Sequence, residues 1–177
     1  YSETHKNTNN STIKAYIDTW YKNNLINYTD YLQDSIYCND RSVTPVESFG
    51  GMELSGNGTG TTFTAYSNLT RNFVNSPATP SLKCTNINDR FTVSSANGNG
   101  ALTYPIGLIT TDEIILSGGK SYDMVNSSYI TNTDYYLFTG NFYWSMTPVA
   151  FAGGSAVVDF VGGGGIVDGG SKNDPRR

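Results

Sequence analysis

The sequence is poor in charge. Only 15% of its residues are Asp, Glu, Lys or Arg, and the formal net charge is −4. No basic stripe appears, so nucleic acid and anionic membrane are not expected partners. Histidine occurs once, at His5 in a polar arm. That leaves no Ser/His/Asp set and no His-rich metal spacing, and a lone His in such an arm reads as solvated. There are two cysteines, Cys38 and Cys84, which permit one disulfide and exclude a scaffold built from several. Two readings of them stay open: one bridge closing a long loop in an oxidising setting, or two small buried thiols. No apolar run reaches membrane-spanning length, so no direct membrane insertion is expected, and no signal peptide is legible.

Other motifs are also missing. The chain has no G-x-S-x-G, no P-loop and no EF-hand spacing. Asn86-Ile87-Asn88-Asp89 and the pair Asp123 and Asn126 are oxygen-rich, but they lack calcium-loop spacing. Gly162 to Gly165 precedes no helix, so it is not a dinucleotide loop. Asp112 and Glu113 could be paired catalytic carboxylates, but a capping box with Thr110 accounts for them more simply. The expectation is therefore no catalytic residue, no metal and no cofactor.

What the chain has in quantity is tyrosine (13), glycine (19) and amide and hydroxyl side chains. That composition suits extracellular recognition surfaces, where Tyr gives contact area at low entropy cost, and it equally suits a plain polar secreted domain. The length fits a single domain over 1–177 with room for a core. The abrupt start at Tyr1 and stop at Arg177 predict a domain cut from a longer protein.

Along the chain, Asn10 or Ser11 caps a helix carrying Ile13, Tyr16, Ile17, Trp20, Tyr21 and Leu25 at helical spacing. Core packing is the expected fate of these aromatics. Thr29 predicts a second short helix with Tyr31, Leu32, Ser35 and Ile36 on one face. Val43 to Gly60 reads as loop, and Phe63 to Val74 takes no assignment. Phe91-Thr92-Val93 predicts a short strand, and Asn97 to Gly100 a turn. Leu102 to Ile109 predicts a buried strand. Thr110 to Glu113 predicts a capping box, ended by Gly118-Gly119. Tyr135 to Phe138 and Phe142 to Met146 predict strands separated by a turn at Thr139-Gly140-Asn141. Helices first and antiparallel strands later make an α+β domain.

The organising stretch runs from Tyr143 to Ser171. An aromatic head, Tyr143-Trp144-Ser145-Met146, leads into small residues and glycine runs. Two short strands are expected, about 156–161 and 166–168, joined by a glycine turn. Small side chains on such strands leave a shallow, adaptable face. The candidate ligand-binding residues are Tyr143, Trp144, Ser145, Val149, Ala150, Phe151, Ala152, Gly154, Ser155, Val157, Val158, Asp159, Phe160, Gly162, Gly163, Ile166, Asp168 and Gly170. Tyr143 and Trp144 are the expected anchors.

Several pieces together resemble a family of surface proteins from gut Firmicutes. They are Glu3-Thr4-His5, Asn7-Thr8-Asn9, Ser11-Thr12-Ile13-Lys14, Trp20-Tyr21, Cys38-Asn39-Asp40-Arg41-Ser42, Asn88-Asp89-Arg90-Phe91-Thr92-Val93, Leu102 to Thr110, and Tyr143 to Pro148. The resemblance implies a C-type lectin-like fold, shared with formylglycine-generating enzymes and with the variable proteins of diversity-generating retroelements. In those relatives a further strand closes the domain, and here the chain stops where it would begin. The resemblance implies a cell-surface or extracellular ligand-binding protein, receptor- or adhesin-like, with an unknown protein or glycan ligand. The enzyme branch fits less well, because Cys38 and Cys84 lie in the N-terminal half in motifs that do not match.

The retroelement reading has a check in the residues. Asn codons mutated at their adenines keep a pyrimidine third base, so they never yield Glu, Lys, Gln, Met or Trp. From Thr147 to Ser171 none of these occurs. A glycine-rich strand pair with no history of diversification would also lack them. The competing expectation is a structural or assembly module of a large surface protein, with no diversified site.

Overall fold

A computed structural model describes residues 10–40, 48–49, 52–53, 80–121, 131–152 and 155–171. His5, the Phe63–Val74 stretch, Asp123, Asn126, most of the Val43–Gly60 loop and the C-terminal Lys172–Arg177 lie outside the described residues. The described residues combine helices with largely antiparallel sheets, an α+β arrangement.

Helix α1 spans Thr12–Asn24, and the Ser11 hydroxyl accepts from the Lys14 amide at its start. Lys14 and Asp18 pair one turn apart along its side. Among its aromatics only Tyr21 is buried, stacked on Tyr104 with ring centroids 5.0 Å apart. Trp20 is 45% exposed and Tyr16 more so. The inward face of this helix is thus Tyr21 with the half-buried Ile13, Ile17 and Leu25, while Tyr16 and Trp20 leave it.

The second helix does not form. A 3₁₀ helix covers Ile26–Tyr31, and the backbone is extended at Leu32. Thr29 lies inside this turn, donating to the Ile26 carbonyl at 2.8 Å and lying 3.0 Å from the Tyr21 hydroxyl. Asp34 then accepts from the amides of Val93 and Ser94, which ties the extended chain to a distant segment.

Strand β1 (Tyr37–Cys38) pairs antiparallel with β4 (Arg90–Phe91), and β2 (Ser48–Phe49) with β3 (Met52–Glu53). Cys38 and Cys84 are bridged. The expected strand at 91–93 begins one residue early and stops at Phe91, because Thr92 turns its hydroxyl to the Ser94 carbonyl.

Leu102 to Ile109 is not a strand. Pro105 has no N–H to offer a ladder, and the Ile106 amide bonds back to the Tyr104 carbonyl in a tight turn. The segment is clamped instead. The Tyr37 hydroxyl donates to the Pro105 carbonyl at 2.9 Å, and Gly107 lies so close to the Tyr37 ring that any Cβ would overlap it.

Helix α2 covers Thr111–Leu116 with the full capping box. Thr110 accepts from the Glu113 amide, and Glu113 accepts from the Thr110 amide. Gly118, at φ 102°, and Gly119 end it by returning their amides to the carbonyls of Ile115 and Ile114. Asp112 accepts from the Ser81 amide at 2.7 Å. Glu113 thus closes the capping box as expected, whereas Asp112 ties the start of α2 to the Ser81 segment.

The principal sheet has four strands in the order β5-β8-β7-β6. They are β5 (Lys120–Ser121), β6 (Tyr143–Ala152), β7 (Ser155–Val161) and β8 (Ile166–Ser171). Only β5–β8 is parallel. The core lies between α2 and one side of this sheet, where Ile114, Val161 and Val167 are fully buried. Ile109, Ile115, Tyr135, Leu137 and Tyr143 pack around them.

Tyr135 to Phe138 is a turn rather than a strand, closed by the Phe138 amide on the Tyr135 carbonyl. Its alternation of aromatics is real but serves the turn. Tyr135 and Leu137 reach the core while Tyr136 stands 92% exposed.

Candidate ligand-binding face

Strands β6 to β8 have the period of two that divides a sheet into two sides. On β7, Val157, Asp159 and Val161 are buried, while Val158 and Phe160 are half-buried. On β6, Ser145 and Thr147 are buried and Trp144 and Met146 half-buried. Cross-strand register places Trp144 opposite Phe160, and Phe160 opposite Asp168. These three residues form a row across the sheet on the side away from α2.

Phe142, just before β6, joins this row. Its ring centroid lies 4.7 Å from Phe160 and 5.3 Å from Trp144, and Trp144 meets Phe160 edge-on at 5.9 Å. Offset and T-shaped contacts of this kind hold aromatic rings in fixed positions. Phe142 is more than a third exposed.

The side facing α2 is polar where β6 bulges. Between the pairs Trp144–Phe160 and Pro148–Val158, residues 145–147 of β6 oppose the single Asp159 of β7. Pro148 cannot donate to the ladder, and β6 is the edge strand of this sheet among the described residues, which is where proline and bulges are tolerated. The bulge frees the Met146 amide to bond the Ile109 carbonyl at 2.9 Å.

It also gathers hydroxyls. The Thr147 amide donates to Ser145 Oγ at 3.1 Å, and Ser145 Oγ lies 3.3 Å from Thr111 Oγ1. Thr111 Oγ1 donates to Asp159 Oδ2 at 2.6 Å, and the Thr111 amide donates to Thr147 Oγ1 at 2.9 Å. Asp159 is wholly buried, and its Oδ1 has no hydrogen-bond partner. Burial pushes its carboxyl up to about 8; the Thr111 bond opposes this, and the charges of Asp168 and Asp112 add to it. Burial, with Tyr135 beside it, pushes the Tyr143 phenol up as well.

The candidate residues therefore separate. Trp144, Val158, Phe160 and Asp168 lie on the side away from α2. Ser145, Val157 and Asp159 are buried and Tyr143 packs on the core, so these four turn to the interior rather than the face; Ile166 is buried as well, at the start of β8 next to the core residue Val167. Alternation is the reason: adjacent strand residues cannot share a side. Gly162 and Gly163 belong to the turn joining β7 and β8, with Gly163 exposed. Val149, Ala150, Phe151, Ala152 and Ser155 lie at the β6–β7 hairpin end, and Gly170 pairs with Val158. Gly154 falls outside the described residues.

Compared with family models, with curated proteins and with solved structures, the chain matches none.

The Asn86–Asp89 segment forms a 3₁₀ turn in which the Asn86 side chain accepts from the Asn88 amide. Among the described residues no group of three or more His, Cys, Asp or Glu is placed to hold a metal ion, and no helix is long and apolar enough to cross a membrane. Sequence reasoning missed Phe142 as a site residue, and it missed Thr111 as the partner of Asp159 and Thr147 as the acceptor for the Thr111 amide. The Thr147-Pro148 pair inside an otherwise strand-like run was the available signal, since a proline there points to a bulge.

Proposed function

We propose that this chain is a non-enzymatic ligand-binding domain of a surface or extracellular protein. In this reading it has a C-type lectin-like fold of the kind found in variable proteins of diversity-generating retroelements. The carrying observation is the aromatic row of Phe142, Trp144 and Phe160 on the side of the sheet away from α2. Rigid aromatic anchors supply contact area without ordering cost, as recognition faces need. Affinity for a protein or glycan ligand would come from the side chains displayed around that row. A core-facing side held by Val161, Val167 and Ile114 lets those side chains change while the backbone stays.

A non-enzymatic role is supported by the employment of the reactive groups. Cys38 and Cys84 are bridged, and Asp112 and Glu113 are engaged at the start of α2.

The experiment is deep sequencing of the encoding locus across a population of the source organism. Substitutions are expected between Trp144 and Ser171, concentrated at Val158, Phe160 and Asp168, and sparing Val157, Asp159, Val161 and Val167. A segment as constant as Ile13 to Trp20 overturns diversification and leaves a structural or assembly module as the better account.

A further inference from the structure

Asp159 is the most unusual group in the described residues. It is fully buried on β7, between the half-buried Val158 and Phe160. One carboxyl oxygen accepts from Thr111 at the first turn of α2, and the other has no partner. We propose that Asp159 is a proton-held latch. Its protonated carboxyl keeps the first turn of α2 docked on the bulge of β6, and loss of that proton to solvent loosens the dock.

The geometry carries this reading. Thr147 N–H, Ser145 Oγ, Thr111 Oγ1 and Asp159 Oδ2 form one chain that crosses from β6 to α2 to β7. Every link in it is a neutral donor or acceptor except the carboxyl at its end. Linked hydrogen bonds strengthen one another when all are satisfied, and an unpaired charge among them is costly.

Among the described residues the charged and titratable groups around Asp159 include no cation that acts on it. The β8 and α2 charges that act on it are Asp168 and Asp112, both acidic. From β6 come the hydroxyls of Ser145 and Thr147 and the phenol of Tyr143, which resists ionisation. Lys120 on β5 is exposed. A carboxylate anion at this position would have one hydrogen bond, from Thr111, and two like charges near it. The neutral acid avoids that, and the upward displacement of its carboxyl to about 8 agrees.

The test follows amide exchange at Thr111 and Met146, whose N–H groups bond Thr147 Oγ1 and the Ile109 carbonyl across the dock. In the intact chain their protection factors are expected to fall at least about tenfold between about pH 5 and about pH 9. In Asp159→Asn, which keeps an acceptor for Thr111 and carries no charge, they are expected to stay level. An equal fall in both proteins overturns the latch, as does no fall in either. Should Asp159→Asn fail to fold, the Asp159 carboxyl carbon is titrated by NMR in the unmodified chain. A midpoint well above the ordinary carboxylate range supports the latch, and a midpoint near about 4 overturns it.

Discussion

At the scale of single residues, Asp159 and Gly165 carry the sharpest consequences. Asp159 holds its proton more tightly in the folded chain than in the unfolded one, since its carboxyl rises from 3.8 to about 8. The folded state therefore binds the extra proton between those values. The stability this contributes is fully present below about pH 4 and is lost as pH rises through about 8. Summed over that window, the loss is at most about 6 kcal/mol. Denaturant unfolding measured across pH is expected to show this decline, and Asp159→Asn to remove most of it.

Gly165 adopts φ 77° in the β7–β8 turn, and a Cβ there would overlap the Asn132 carbonyl. That carbonyl cannot withdraw cheaply, because the Asn132 amide bonds Gly164 and its side chain bonds the Gly118 carbonyl. Gly165→Ala is expected to destabilise the fold by about 3 kcal/mol or more, read from the midpoint of chemical unfolding. Gly163→Ala, whose Cβ would meet only the Gly140 carbonyl at 3.8 Å, is expected to cost far less in the same measurement.

Among the elements, α2 is too short to persist by propensity and depends on its ends and its docking. Its capping box satisfies amides at one end, Gly118 and Gly119 satisfy carbonyls at the other, and Ile114 anchors it in the core. Thr110→Ala removes the hydroxyl that accepts from Glu113 and is expected to lower stability by about 1 kcal/mol. The same variant should speed amide exchange within α2 more than within β7, because the lesion is local. The bulge of β6 is the other decisive element. It sets two inward-facing hydroxyls, Ser145 and Thr147, opposite the single Asp159, where a regular ladder would pair Asp159 with one residue only.

For the whole molecule, the disulfide matters most. Cys38 and Cys84 lie 46 residues apart, so their bridge removes much freedom from the unfolded chain. Chain-entropy reasoning puts that at about 4 kcal/mol, offset by whatever strain the fold carries. Reduction, or the Cys38→Ser and Cys84→Ser double variant, is expected to lower the unfolding free energy by about 2–4 kcal/mol. Thermal unfolding with and without reductant checks this. A second whole-molecule feature is the exposure of Tyr16, Trp20, Tyr28 and Tyr31 around α1 and the 3₁₀ turn. Periodicity placed Tyr16, Trp20 and Tyr21 on one helix without revealing that only Tyr21 of the three is buried.

Local chemistry was legible in the sequence wherever neighbours along the chain decide the outcome. Ser11 starts α1, Thr110 and Glu113 cap α2, Gly118-Gly119 end it, and Val157 to Val161 with Gly162 to Gly165 make a strand and its turn. Each of these depends on contacts within a few residues. Tertiary structure alone decided the rest. Leu102 to Ile109 is apolar enough for a strand but is clamped by Tyr21 and Tyr37, which lie far away in sequence. Tyr135 to Phe138 alternates like a strand but has no partner strand to ladder with among the described residues, and closes on itself. The sequence marked Tyr143 to Ser171 as the organising stretch. Which of its side chains face outward depended on register and on the bulge opposite Asp159, and strand pairing sets both of these.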